Sequence, residues 1–218
     1  MFELILLILI AYVVGSTPTS IIVSRLKYKT DIRAHGSGNA GATNVFRTFG
    51  WKPALFVTLI DVFKGWLPAY IAGNLNSDSI VFGSNPDALM IMAGFAAVLG
   101  HTYTIFAGFK GGKGVGTAAG MLIALFPIAL PFCILVFVLT LMTTGIVSLG
   151  SMLAAIALPI TLFIIEGIIP DSQISLTLRI FALLVPLFII FTHRSNITRI
   201  REGTENRFEK ARVFKKKG

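Results

Sequence analysis

Three short stretches of the 218-residue chain concentrate the residue types that hold anions or move protons. The first is Gly36-Ser37-Gly38-Asn39-Ala40-Gly41-Ala42-Thr43-Asn44, with Arg47 three residues on. Glycines, hydroxyls and amides at this density let backbone N–H groups converge on an anion, and Arg47 adds a bidentate donor. The bland alternative is a flexible loop beside the membrane whose charge only sets topology. The second stretch is Gly100-His101 followed by Phe109-Lys110-Gly111-Gly112-Lys113-Gly114-Val115-Gly116-Thr117. It is like a phosphate loop but is not a Walker A motif, because Lys113 is followed by Gly114 and position 107 is alanine. A nucleotide hydrolase is therefore not expected. The lysines still precede a predicted helix whose N-terminus favours an anion. Gly112, Gly116 and Gly120, spaced by four, also suit close helix packing, and both uses are compatible. The third stretch is His193-Arg194-Ser195-Asn196-Ile197-Thr198-Arg199-Ile200, then Gly203-Thr204-Glu205. On a helical continuation His193, Asn196 and Ile200 share a face, so an imidazole and an amide address one ligand. A plain stop-transfer segment has no use for that pair.

Other candidates are weaker. Asp61 and Lys64, three apart in an apolar stretch, suit a structural ion pair on one helix face, with a proton pathway the lesser possibility. Cys133 lies in apolar sequence with no basic neighbour to activate it, so a thioester nucleophile is not expected. As the single cysteine it also excludes an internal disulfide framework and a four-cysteine metal site. His35 has no obvious partner. No carboxylate or histidine cluster has metal-ligand spacing, so neither a metal nor a cofactor is expected.

The elements that must position these residues are membrane helices. The chain is 55% hydrophobic and only 13% charged, with a mean hydropathy of +0.82; a soluble domain carries about twice that share of charge. No long polar block remains for a large soluble catalytic domain. Apolar stretches run near 2–24, 53–73, 87–107, 146–168 and 176–192. The first has Glu3 where a secretory signal has a basic region and lacks a clear cleavage site, so it reads as a retained span.

Nearly all basic residues fall in three clusters: Arg25 to Lys52, Lys110 with Lys113, and nine Lys and Arg residues from Arg194 to Lys217. The connections 74–86 and 169–175 hold none. By the positive-inside rule the clusters are cytoplasmic, and 114–145 must cross twice or form a re-entrant pair, turning near Pro127 and Pro131. Its first limb, 114–126, is short of the ~30 Å hydrocarbon core. The expectation is an all-α, polytopic bundle of about seven transmembrane elements, one or two of them short. Its N-terminus lies outside and its C-terminus in the cytoplasm, and residues 1–218 form a single domain. Counting the pair as re-entrant leaves five spans and the same sidedness. The Lys215–Lys217 tail suits anionic lipid headgroups.

Taken together and in order, SGNAGATN at 37–44, GHTYTIF with FKGGKGVGT across 100–117, and HRSNITRI with GTE across 193–205 closely resemble the bacterial acyl-phosphate:glycerol-3-phosphate acyltransferases. That resemblance covers essentially the whole chain. It implies transfer of a fatty acyl group from acyl-phosphate to the 1-hydroxyl of sn-glycerol 3-phosphate, giving lysophosphatidic acid and inorganic phosphate. The His-x4-Asp motif of the more widespread glycerolipid acyltransferases is absent: the residues five beyond His35, His101 and His193 are Ala40, Phe106 and Thr198.

The resemblance implies that Ser37, Arg47 and a lysine of the second motif, Lys113 ahead of Lys110, hold phosphate, with Gly112 in the same loop. Asn39, Thr43 and Asn44 complete the first loop. His193 and Asn196 contact the glycerol hydroxyls and orient the attacking oxygen, and Glu205 anchors the third motif. The implied partners are glycerol 3-phosphate, fatty acyl-phosphate, membrane lipids and a soluble enzyme that supplies acyl-phosphate, with no nucleic acid. The implied location is the bacterial inner membrane, with the site on its cytoplasmic face. A transporter of phosphorylated metabolites is the alternative, but its path would need polar groups on the external side, where the connections are short and lack Lys and Arg. A structural lipid-binding component would not need His193 and Asn196 beside two glycine-lysine loops.

Overall fold

A computed structural model describes residues 2–75, 85–169 and 174–208. Every regular element among the described residues is helical. In order these are α1 (Phe2–Gly15), α2 (Thr19–Tyr28), α3 (Ala42–Phe49), α4 (Trp51–Gly73), α5 (Pro86–Thr102), α6 (Val115–Leu125), α7 (Leu130–Thr144), α8 (Val147–Ile168), α9 (Leu176–Thr192) and α10 (Arg194–Arg201). Short 3-10 turns lie at Ile32–Ala34 and Ile105–Ala107. The chain divides into two compact units, one closing at Leu125 and the other opening at Phe126.

Among the described residues four segments are long and apolar enough to cross a membrane: Phe2–Tyr28, Trp51–Gly73, Pro86–Ala107 and Val147–Ile168. A fifth is reached if α9 and α10, bent by 62°, count as one. The pair expected in 114–145 is present as α6, of 11 residues, and α7, of 15. At 1.5 Å per residue they span about 17 and 23 Å. The break lies at 126–129, and Pro131 sits in the first turn of α7, where a missing N–H costs no helix bond. Most of connections 74–86 and 169–175, and the Lys215–Lys217 tail, lie outside the described residues.

In the first unit, lipid-like side chains cannot drive helix association, so the helices approach through small residues. A Cβ at Gly15 of α1 would overlap the Ala97 carbonyl of α5. One at Gly65 of α4 would overlap the Thr117 carbonyl of α6, and one at Gly120 of α6 the Val62 carbonyl of α4. Of the spaced glycines noted from sequence, Gly116 and Gly120 thus lie where α6 packs on α4, whereas Gly112 precedes α6 and lies against His101 in the loop. Leu4, Ala11, Ala72, Leu89, Ala93 and Ala96 fill the contacts of α1, α4 and α5. A separate cluster of Ile21, Ile32, Ala40, Val45, Ala54 and Val57 fastens the 29–41 segment between α2, α3 and α4.

In the second unit α7 and α8 form a helical hairpin. Gly145 closes α7 in the left-handed conformation (φ 73°), and the Thr144 hydroxyl accepts the Ile146 N–H at 3.1 Å. The chain after α10 is tied to this corner, because the Phe208 N–H donates to the Gly145 carbonyl at 2.7 Å. Ser175 caps α9 by accepting the Leu178 N–H at 3.2 Å.

Candidate active site

The first motif is built around Asn44, which is only 1% exposed. Its Nδ2 lies 3.1, 2.9 and 3.0 Å from the carbonyls of Ile32, His35 and Asn39, and its Oδ1 accepts the Ser37 N–H at 3.0 Å. One buried amide thus closes the whole 32–44 loop. Gly36 (φ 55°) lies against the Asn44 Oδ1, and its left-handed conformation leaves no room for a side chain. The Gly38 N–H donates to the His35 carbonyl at 3.0 Å. Two of the N–H groups expected to converge on an anion are therefore engaged within the loop. Ser37 and Asn39 are half-buried, and Thr43 and Arg47 lie one turn apart along α3. His35, without an evident partner in sequence, has its Nε2 2.8 Å from the Thr30 hydroxyl.

Asp31 and Arg33 were missed by motif reasoning. Arg33 donates to Asp31 through Nε (3.1 Å) and Nη2 (2.8 Å), and through Nη1 to the Ala107 carbonyl at 3.1 Å. One guanidinium thereby ties the first loop to the turn preceding the second. The hydrogen bond from Arg33 holds the Asp31 carboxyl far below the ordinary range against the upward push of burial, and Arg25 adds to it. An Asp-x-Arg pair beside a glycine-rich loop was the available signal.

The second motif occupies the connection between α5 and α6. The Gly111 and Gly112 N–H groups donate to the carbonyls of Thr102 and His101, each at 3.1 Å, so the loop folds back on the end of α5. The Thr104 hydroxyl donates to the Ser16 carbonyl, and the Phe109 N–H to the Thr104 carbonyl at 2.8 Å. Lys110 is exposed and Lys113 half-buried, two residues before α6 begins. Asp61 and Lys64 do pair, at 2.7 Å, buried in α4. His101 Nδ1 stands 3.7 Å from the same carboxylate.

The third motif lies in the second unit. The helix does not continue through it as expected: α9 ends at Thr192, and His193 both closes α9 and opens α10 across the 62° bend. Its N–H reaches back to carbonyls of α9, and the Asn196 N–H bonds the His193 carbonyl at 2.8 Å. The imidazole is 2% exposed, with Nδ1 2.8 Å from the Ile189 carbonyl. A carbonyl only accepts, so Nδ1 carries the proton and the lone pair of the neutral ring is on Nε2. Asn196, also buried, donates through Nδ2 to Glu205 Oε1 at 2.6 Å. The Ser148 hydroxyl donates to the same oxygen at 2.8 Å, and Arg199 Nε to Oε2 at 2.7 Å. Burial pushes the Glu205 carboxyl up, but these three donors outweigh it and hold it below its ordinary value. The Glu205 carboxylate thus joins Ser148, Asn196 and Arg199. Ser148, 57 residues away in sequence, had no signal that reasoning along the chain could find. Among the described residues no three His, Cys, Asp or Glu side chains cluster.

An all-helical, multi-pass membrane protein with two glycine-rich basic loops and a buried His–Asn–Glu corner is thus defined. The glycerol-3-phosphate acyltransferase family model matches residues 5–203. The chain is 45% identical over 228 residues to a glycerol-3-phosphate acyltransferase of Chlorobaculum tepidum, covering 95% of this chain and 97% of that one. Its identity to the enzyme of Chlorobium luteolum is 43% over 230 residues, with the same coverage. Its fold matches the crystal structure of PlsY (YgiH), an integral membrane glycerol 3-phosphate acyltransferase, in the glycerol 3-phosphate form. There the TM-score is 0.81 at 36% identity, covering 94% of this chain and 96% of that one. The lysophosphatidic acid form gives 0.78 at 35%, covering 94% and 95%. The chain belongs to the glycerol-3-phosphate acyltransferase family.

Proposed function

We propose that this protein transfers a fatty acyl group from acyl-phosphate to the 1-hydroxyl of sn-glycerol 3-phosphate. The products are lysophosphatidic acid and inorganic phosphate, an early step of phospholipid synthesis. The observation that carries this is the family match over residues 5–203, which contain the first two motifs and the third as far as Gly203. The relatives' names supply the acceptor. The absence of His-x4-Asp favours acyl-phosphate as donor, with a soluble enzyme supplying it. Residues 1–218 act as one acyltransferase domain of about seven transmembrane elements in the inner membrane, N-terminus outside, with its chemistry on the cytoplasmic face. The three basic clusters support that sidedness.

Acyl-phosphate is a mixed anhydride with a good leaving group, so direct attack needs no enzyme nucleophile. The hydroxyl oxygen bonds to the acyl carbon, the bond from that carbon to the phosphate oxygen breaks, and phosphate departs. The hydroxyl proton passes to a phosphate oxygen or to His193 Nε2. Ser37, Arg47 and Lys113, with Lys110 second, hold phosphate charge. Asn39 and Thr43 line the first loop, Asn44 shapes it, and Gly112 gives the second loop its close turn. His193 and Asn196 orient the glycerol hydroxyls, Asn196 held by Glu205 and His193 by the Ile189 carbonyl. Positioning and charge stabilisation supply most of the acceleration. A groove of about 390 Å³ lined by Ile21, Ile22 and Phe106, with Arg25 at its rim, has the size and lining for an acyl chain.

The test uses purified protein in lipid with palmitoyl-phosphate and radiolabelled glycerol 3-phosphate. Label entering lipid in step with released phosphate, and lost in Lys113→Ala and His193→Ala, assigns both motifs to the reaction. Folded protein that makes no lipid product but traps label inside vesicles overturns the enzyme and makes it a transporter.

A further inference from the structure

Within the first unit, a buried polar cluster touches both ends of the connection that carries Lys110 and Lys113. Asp61 Oδ1 takes Lys64 Nζ at 2.7 Å and the Thr19 hydroxyl at 3.1 Å, and Lys64 also donates to the Thr17 carbonyl at 2.8 Å. His101, in the last turn of α5, places its Nδ1 3.7 Å from the same oxygen, beyond hydrogen-bond reach. At the other end Gly116, in the first turn of α6, is so close that a Cβ there would lie 3.4 Å from Asp61 Cβ. Residues 101 and 116 bracket the loop. The imidazole also backs it directly, since a Cβ at Gly112 would overlap His101 Nε2. The Gly112 N–H meanwhile bonds the His101 carbonyl at 3.1 Å.

The cavity among these groups is about 10 Å³, room for roughly one water and far too small for a phosphate. They cannot bind the substrate themselves, so any effect must pass through the loop. An ion pair present only to make two charges tolerable in a span needs neither His101 nor Thr19 at the same carboxylate.

We infer that Asp61 and His101 are positioning residues for the second phosphate loop. The carboxylate sets the imidazole, the imidazole backs Gly112, and Lys113 is thereby presented at a fixed place. Lys64 neutralises the carboxylate so that the arrangement stands inside a membrane helix. The inference rests on reading Lys113 as a phosphate-holding residue.

The test is initial-rate kinetics on the full-length enzyme in lipid, varying glycerol 3-phosphate and palmitoyl-phosphate separately, with thermal unfolding alongside. Lys113→Ala identifies the substrate whose KM depends on the loop. His101→Ala and His101→Gln should raise that same KM about 10- to 100-fold, with the other KM unchanged. His101→Ala combined with Lys113→Ala should be no worse than Lys113→Ala alone, because both act through one contact. Asp61→Asn combined with Lys64→Met leaves no unpaired charge, so it should fold and still show the raised KM. A folded His101→Gln or charge-free double variant with normal KM, beside an impaired Lys113→Ala, overturns the inference. So do multiplicative effects of His101→Ala and Lys113→Ala, or failure of every cluster variant to fold. Wild-type kinetics in Lys113→Ala overturns the phosphate-loop reading itself, and the inference with it.

Discussion

The loops of the first and third motifs, one in each unit, are closed by opposite means. In the first, the loop of the first motif is closed by a neutral amide, Asn44, whose four short contacts are all to backbone. That closure uses no ionised side chain, although Arg25 and Arg33 pair with Asp31 just before it and Lys64 pairs with Asp61 inside α4. In the second, the corner around His193 and Asn196 is closed by a carboxylate, Glu205, that gathers donors from Ser148, Asn196 and Arg199. With an amide in that place no carboxylate sits within residues 36–44, and Asp31, ahead of them, is taken up by Arg25 and Arg33. The carboxylate frame orients the neutral Asn196 amide, while the His193 ring is held separately by the Ile189 carbonyl.

The largest effect is expected at His193. Its replacement by alanine is expected to lower kcat about 10²- to 10⁴-fold in the acyl-transfer assay, with unfolding temperature little changed. His193→Gln, which keeps a polar group but no base, should recover part of the rate if the ring orients substrate. No recovery makes the ring the proton acceptor.

Next in size is Asn44→Ala in the first unit. It leaves buried carbonyls and the Ser37 N–H without their partner, which costs roughly 2–3 kcal/mol. Chemical denaturation in detergent micelles is the measurement. A loss near zero would mean that the loop is held by its apolar cluster and not by the amide.

The carboxylate frame makes a pH prediction that the amide frame does not. The Glu205 pKa is lowered on folding from its ordinary 4.5. Its contribution is therefore complete above that value and lost as pH falls through the lower folded value. Unfolding temperature should drop as pH is taken from 6 toward 3.5, and Glu205→Gln should flatten that component while lowering stability at pH 6. Equal acid sensitivity in the two proteins would remove Glu205 from the account. The smallest effect is expected at Lys110, which is exposed: Lys110→Ala should change the KM for either substrate by less than about fivefold. A larger change would make Lys110, rather than Lys113, the principal cation of its loop.

Much of this was legible along the chain. The apolar stretches became α1 with α2, α4, α5, α8 and α9, because side chains facing lipid must be apolar over a whole bilayer thickness and leave an unmistakable run. Asp61 and Lys64 paired as their spacing required, since one helix turn brings them together whatever else the fold does. Gly116 and Gly120 lie at the α4–α6 crossing that their spacing anticipated.

What the sequence by itself determined is thus what is local or periodic: all-helical membrane character, the order of three motifs, and the residue types able to meet phosphate and a hydroxyl. Only the tertiary structure decided how those residues are held. The break at His193, the engagement of the Ser37 and Gly38 N–H groups, and the bonds Arg33–Ala107, Asp61–Thr19 and Ser148–Glu205 depend on partners brought together by packing. A hydroxyl or carboxylate states only what it is able to bond. Which partner satisfies it once it is buried is set by whatever backbone and side chains the fold brings within about 3 Å.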